Sequence, residues 1–394
     1  MSLKIIIFPL VVFCIMLAMH GAVFKSAMHF FAVTRPSHRL LAYAAMVLLS
    51  MSFISAFVLI HWHENPVTIA YYKFAAIWTG FIIHCLTAAA AAWLCLAVIR
   101  LAGSDISLKW LGALMLALAL AESGYGIWAA FYPQIRQVNV SVKAVPEQWK
   151  NSSIVLLSDL HLGHMHKHGF LRRVIEMVNS QNPDLILITG DLVDGMGGNY
   201  KKNLEPLNDL KPGRGIFFVT GNHEHYVGLK KSLDLISNTP LKILDNELIE
   251  IDGLEILGVS YPGINSVSDI GNLRQTRKPG CIRIAMFHTP TEMGINYKNL
   301  KNQHVANYWM PDTNFRTNTE LDIDLQLSGH SHHGQLFPLN FLTGFLYKGY
   351  DYGLNNTGAF WLYTTSGTGS WGPPMRTSGR AEIPVIRLVE NKIK

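Results

Sequence analysis

The sequence predicts an α/β domain preceded by a four-helix transmembrane region, and three observations predict it. Four apolar runs occupy the first third of the chain. After residue 154, short β-branched runs alternate with helical periods. Carboxylates, amides and imidazoles then recur just past the predicted strand ends.

The apolar runs cover residues 3–24, 40–62, 74–99 and 110–131. Each reaches the ~20 residues a helix needs to cross a hydrocarbon core. One such run alone fits a buried core helix, and residues 3–24 alone fit a signal peptide with Lys4 as its basic end. Four in succession, joined by short polar loops, read as spans. Residues 1–132 are therefore assigned to the membrane, 133–153 to a linker and 154–394 to a polar domain.

Charge agrees with that division. The membrane third carries +4 of the net charge of +6, and the excess flanks the spans. No basic stripe marks the polar domain, so nucleic acid is not an expected partner. Lys25, Arg35 and Arg39 lie in the first loop and Arg100 and Lys109 in the third, against Lys4 and Lys73 on the other side. This bias puts the first and third loops in the cytoplasm and the polar domain outside it. Cys14, Cys85 and Cys95 fall in the spans, leaving Cys281 alone. That excludes an internal disulfide or a zinc ribbon in the polar domain.

Within that domain IVLLS (154–158) stops at Asp159, LILIT (185–189) at Gly190-Asp191, and IFFVT (216–220) at Gly221-Asn222. These read as buried strands, and FLRRVIEMVNSQ (170–181), ending before Asn182-Pro183, reads as a covering helix. The alternation predicts a βαβαβ sheet. Further strands are expected over 254–260, 282–287 and 322–327, with a second block of strands after Gly344.

The strand-end residues are Asp159-x-His161, Asp191, Asn222-His223, His288 and His330-Ser331-His332. Carboxylate, amide and imidazole donors without thiolate suit a hard or borderline divalent ion. On extended chain, DxH and HxH each send both side chains to one face, so each offers a pair to one centre. Flanking glycines allow close backbone approach. In open α/β sheets the carboxyl ends of strands are where ligands bind.

The series DLH, GDLVD, GNHE, HTP and GHSHHGQ resembles the calcineurin-like metallophosphoesterases. More narrowly it is similar to bacterial membrane-associated members ending in sequence of the type GTGSWGPPMR, here 367–376. The resemblance implies a four-layer α/β/β/α sandwich over the polar domain and two divalent ions, manganese first and iron or zinc as alternatives. It gives Asp159, His161, Asp191 and His332 to one ion. It gives Asp191, Asn222, His288 and His330 to the other, with Asp191 shared. His223 corresponds to the histidine facing the scissile phosphate, and Asp194 to the carboxylate that orients it. The implied reaction is attack by a metal-bridged hydroxide on phosphorus.

Several residues depart from or extend that pattern. His333 replaces a usual glycine and, with Arg376, is a candidate substrate contact; pointing away is the simpler expectation for His333. His164, His166 and His168 are expected to be solvated. His84, inside the third span, has no identifiable partner. The aromatic stretch 307–315 and the apolar stretch 336–350 are expected to pack on the second sheet, the alternative being a rim that dips into the membrane interface.

The resulting expectation is a membrane-anchored phosphoesterase in a bacterial inner membrane, facing the periplasm. Its substrate is a phosphorylated small molecule or, better, a lipid or lipid-linked phosphate ester or pyrophosphate. A cytoplasm-facing lipid-precursor pyrophosphatase and a membrane sensor or transporter with a metal-binding domain are the alternatives. Glu122 is the lone acid within the spans, which argues against an ion path.

Overall fold

The computed structural model describes residues 3–270, 277–294 and 310–390. The chain divides into two units: Met1–Trp128 with Gly372–Thr377, and Ala129–Trp371 with Ser378–Lys394.

The first unit is built from α1 (Leu3–Phe30), α2 (Pro36–Ser50), α3 (Ser52–Trp62), α4 (Pro66–Leu101) and α5 (Leu108–Phe131). Three of these helices are long and apolar enough to cross a membrane, or four spans result if α2 and α3 count as one. The expected single helix over 40–62 is in fact broken, with a 44° bend between α2 and α3. The local cause is the Ser50-Met51-Ser52 step. The hydroxyls of Ser50 and Ser52 bond back to Val47 and Leu49 carbonyls at 2.8 and 2.7 Å. Such back-bonding competes with the helix ladder and bends it.

The alanine run in α4 has a packing role. Ala88, Ala89 and Ala92 are buried with Val23 and Phe30 of α1 and Leu111, Met115 and Ala119 of α5. Small side chains let helix backbones approach closely where lipid offers no hydrophobic gradient. Large apolar groups such as Leu48, Leu94 and Leu101 stay exposed, as lipid-facing positions would. His84 does have partners: its Nδ1 lies 2.8 Å from Ser123 Oγ and its Nε2 3.2 Å from Thr377 Oγ1.

The second unit holds two six-stranded sheets. The first runs β1 (Gln134–Val142), β12 (Glu382–Glu390), β2 (Ile154–Leu157), β3 (Leu185–Thr189), β4 (Ile216–Val219) and β5 (Lys242–Ile243). The second runs β10 (Gly353–Asn356), β11 (Trp361–Thr364), β9 (Leu325–Ser328), β8 (Ile282–Phe287), β7 (Leu254–Val259) and β6 (Glu247–Ile251). Strands β2 to β5 are parallel, as are β7, β8, β9 and β11, whereas β12, β10 and β6 pair antiparallel with β2, β11 and β7.

Alternation explains why the runs are apolar throughout. Ile154 and Leu156 join a core shared with Ile256, Ile284 and Leu327 of the other sheet, while Val155 and Leu157 join a core with Phe170, Val174 and Val178. A strand buried on both faces reads as a continuous hydrophobic run. The helix supplying that outer core, α6, spans His168–Asn179, two residues earlier than 170–181 at each end. Among the described residues the remaining α-helices are α7 (Tyr200–Leu204), α8 (Asn222–Val227), α9 (Leu229–Ile236), α10 (Arg316–Glu320) and α11 (Leu339–Leu346).

Two expectations need correction. Residues 133–153 are not a plain linker: they contain β1, which pairs with β12 along all nine of its residues. Buried Val138, Val140 and Val142 alternate with less buried, polar Asn139 and Ser141, so this strand has no continuous apolar run like those of β2 to β4. Of the stretch 336–350, Tyr350 does pack against the core of the second sheet and Leu336 and Tyr347 are buried, but Leu339–Leu346 forms α11, in which no residue is fully buried. Of the 307–315 stretch, residues 307–309 lie outside the described residues; Phe315 is buried beside Tyr350 and Phe360.

Candidate metal centre

The loops after β2, β3, β4, β8 and β9 bring the strand-end residues together. His161 Nε2 lies 3.0 Å from His332 Nε2, and Asp159 Oδ1 lies 3.4 Å from His332 Nε2. Nearby, His288 Nε2 lies 3.1 Å from Asn222 Oδ1, 3.2 Å from His330 Nδ1 and 3.2 Å from Asp191 Oδ2. The same Asp191 oxygen is 3.8 Å from His161 Nε2. Asp159, His161 and His332 thus form one compact group and Asp191, His288 and His330 another.

The route to convergence differs from the expected one. DxH is not extended: Asp159 and His161 have φ of 53° and 45°. His330 and His332 have φ of 72° and 51°, and they serve different groups instead of pairing. With Asp191 at 52°, five non-glycine residues of the centre hold left-handed backbone. Each such residue costs about 1–3 kcal/mol and persists only where surrounding contacts over-determine it.

Those contacts are visible. Asp159 accepts the His330 backbone N–H at 3.1 Å, and Asp191 accepts that of His223 at 2.8 Å. His288 Nδ1–H donates to the Thr189 carbonyl at 2.7 Å, which leaves Nε2 as its free donor atom. A Cβ on Gly221 would collide with Asp191 Oδ1, and one on Gly329 with Ser158 and Asp159 side chains.

Glu224 is the residue that sequence reasoning quoted, within GNHE, without giving it work. Its buried carboxylate accepts N–H groups from Gly221, Asp191, Leu192 and Val193 at 2.7, 3.0, 2.9 and 3.3 Å. It fixes the strained turn that carries Asp191 to the start of α8. The available signal was the spacing from Gly221 to Glu224, that of a capping box.

His223 lies outside these two groups and forms a third with His161 and Asp194. Its Nε2 is 4.0 Å from Asp191 Oδ2 and its Nδ1 is 3.6 Å from Asp194 Oδ1. Nδ1 also meets the Gly195 N–H at 3.4 Å. The neutral ring can accept there, whereas the imidazolium turns its charge to Asp194. Asp194 is itself anchored, its carbonyl accepting the Tyr200 hydroxyl.

The electrostatics fit a cation site. Burial and the neighbouring His288 push His330 down to about 3. Burial and His223 hold His161 well below its ordinary value. Burial works against the charge of Asp191, but His288 and His223 outweigh it and keep that carboxyl well below its usual range. Burial likewise opposes charge on His288, yet Asp191 and Asp159 raise it to about 9. His161 and His330 are thus neutral and Asp191 ionised, the forms that bind metal, whereas His288 gives up a proton when it binds. The Nδ1 of His161 is buried with no hydrogen-bond partner among the described residues. Donors crowded this closely suit divalent ions.

His333 Nδ1 is 2.9 Å from Asp351 Oδ2 and its ring stacks on Tyr352 at 4.5 Å. Arg376 is fully buried, within the Gly372–Thr377 segment of the helical unit. His164 and His166 are buried, not solvated. The turn closes on itself through Gly163 N–H to the His166 carbonyl at 2.8 Å, and His166 Nε2 meets Ser370 Oγ at 2.8 Å.

Known proteins carry the same domain. Residues 152–334 match the family model for calcineurin-like phosphoesterase. An uncharacterized metallophosphoesterase of Helicobacter pylori strain J99 is 32% identical over 286 residues, 70% of each chain. A transmembrane protein with metallophosphoesterase domain from Danio rerio is 33% identical over 294 residues, 70% of this chain and 62% of that one. An uncharacterized metallophosphoesterase of Aquifex aeolicus is 25% identical over 69% of this chain and 97% of its own. With buried carboxylate, amide and imidazole donors converging past the strand ends, the chain belongs to the calcineurin-like metallophosphoesterases, a family of metal-dependent phosphoester hydrolases.

Proposed function

We propose that the protein is a membrane-anchored phosphoesterase with a two-ion centre on a four-layer α/β/β/α frame. Its substrate in this reading is a phosphate ester or pyrophosphate of a lipid or lipid-linked molecule outside the cytoplasm. The observation that carries the proposal is the position of Asp191, whose Oδ2 lies between His288 Nε2 at 3.2 Å and His161 Nε2 at 3.8 Å. Asp159, His161, Asp191 and His332 hold one ion; Asp191, Asn222, His288 and His330 hold the other. Manganese is the ion we assign, and iron and zinc suit the same donors.

When bound, such a pair supplies a water of lowered pKa and stabilises charge on the phosphoryl oxygens. The chain's own residues supply the rest. Protonated His223 donates from Nε2 to the leaving oxygen, and Asp194 holds the ring through Nδ1. His333, engaged by Asp351, supports the turn between His332 and α11 and is given no substrate contact. Arg376 is likewise given none.

Two measurements test this reading. Full-length protein stripped with a chelator is expected to lose hydrolysis of bis(p-nitrophenyl) phosphate and to recover it on titration with Mn²⁺, saturating at two ions per chain. Saturation at one ion, or metal uptake with no hydrolysis, overturns it and favours a metal-binding sensor. A periplasm-dependent reporter fused after Lys394 is expected to be active. A fusion active solely in the cytoplasm inverts the orientation and favours the lipid-precursor pyrophosphatase.

A further inference from the structure

The turn that carries His330 and His332 also holds two exposed apolar features that hydrolysis by itself does not require. The first is α11. Phe341 and Phe345 are 67% and 81% exposed, and Phe337 and Leu342 are 41% and 49% exposed. No Asp, Glu, Lys or Arg occurs from Leu336 to Tyr347. The second is Trp371, 47% exposed, with its ring 6.2 Å from that of His223.

Both are fastened to the site. The side chain of Gln335 donates to the Trp371 carbonyl at 2.8 Å and accepts its N–H at 2.9 Å, from a left-handed backbone with φ of 56°. Thr343 Oγ1, on α11, donates to the Asp351 carboxylate that also meets His333, at 3.0 Å. A Cβ on Gly334 would strike the α11 backbone at Leu339 and Asn340. An exposed apolar helix held this firmly by its polar side is built to present its other face.

We infer that the exposed face of α11 inserts into the interface of a lipid bilayer, setting the metal-site turn at the membrane surface so that a lipid-borne phosphoester is admitted past Trp371. The occupant follows from the chain itself. The domain follows directly on a helix long and apolar enough to span a membrane, since α5 ends at Phe131 and β1 begins at Gln134. A bilayer is thus the partner present at high effective concentration, whatever else is in solution. Uncharged aromatic faces are the kind that settle at the headgroup boundary. The catalytic half of this inference rests on the function proposed above; the insertion does not.

The test uses full-length protein in nanodiscs of phosphatidylethanolamine and phosphatidylglycerol. Cys14, Cys85, Cys95 and Cys281 are replaced by serine, and single cysteines introduced by Phe341→Cys or Phe345→Cys carry nitroxide spin labels. Leu94→Cys serves as a lipid-facing reference and Lys202→Cys as an aqueous one. Relaxation by oxygen in preference to a water-soluble nickel complex, as at position 94, is expected at 341 and 345. Preference for nickel, as at 202, overturns the inference. Low access to both agents also overturns it and points to a second copy of the chain.

As a functional arm, Phe341→Asp with Phe345→Asp is expected to lose turnover of a phosphoester embedded in the nanodisc. Turnover of soluble bis(p-nitrophenyl) phosphate stays at the parental level. Equal turnover of the embedded ester removes the catalytic half, whereas loss of both activities in the unsubstituted protein would count against the proposed function instead.

Discussion

Asp191→Asn is expected to abolish hydrolysis and to leave the purified protein short of both ions. The substitution keeps the shape of the side chain and removes its charge. Oδ2 lies within 4 Å of imidazoles from both donor groups. The raised pKa of His288 rests largely on that carboxylate. Losing one electrostatic contact to a transition state costs about 10²–10³ in rate, and a ligand shared by two ions supports more than one such contact. The loss in kcat/KM is therefore expected to exceed about 10³. Metal analysis and turnover of bis(p-nitrophenyl) phosphate measure it; retention of both ions with parental turnover would remove Asp191 from the centre. Glu224→Gln gives the milder counterpart. It weakens the cradle of four N–H groups without touching a ligand, so ion affinity is expected to fall about 10–100-fold.

His223→Ala is expected to lower kcat by about 10²–10⁴ while ion content stays at the parental level. The separation follows from the ligand sets proposed above, which leave His223 out: its Nε2 is 4.0 Å from Asp191, and its own group is the one it forms with His161 and Asp194. Unchanged hydrolysis in this variant would end its role as proton donor. The pH profile gives an independent reading. Burial pulls the pKa of His223 down, but Asp191 and Asp194 outweigh it and the net shift is upward. In the proposed mechanism the active form is the protonated one, so activity is expected below that raised pKa and is expected to be lost as pH rises through it. Asp194→Asn removes one of the charges that raise it. The alkaline limb of the kcat profile is then expected to move to lower pH, and an unmoved limb would assign the titration to another group.

Much of this centre was legible because each of its residues follows a strand that is itself legible. Ile154–Leu157, Leu185–Thr189, Ile216–Val219 and Ile282–Phe287 are apolar throughout since both faces are buried, and polar punctuation then marks the loop. What failed was local conformation. DxH on extended chain is a reasonable default, yet Asp159 and His161 adopt left-handed backbone that only surrounding contacts sustain. Histidine density misled in a similar way. His164 and His166 look solvated in sequence, yet both are buried, His166 with its ring against those of Phe131 and Phe170.

The sequence by itself determined the class of the domain, the apolar segments ahead of it and the types of donor at each strand end. These depend on period and composition, which a single chain displays directly. Tertiary structure alone decided that His330 and His332 separate into different groups and that Glu224 gathers the N–H groups of two loops. It also decided that β1 belongs to the first sheet and that α11 keeps its apolar face exposed. Each of these is set by contacts between residues far apart in the chain, which leave no period to read.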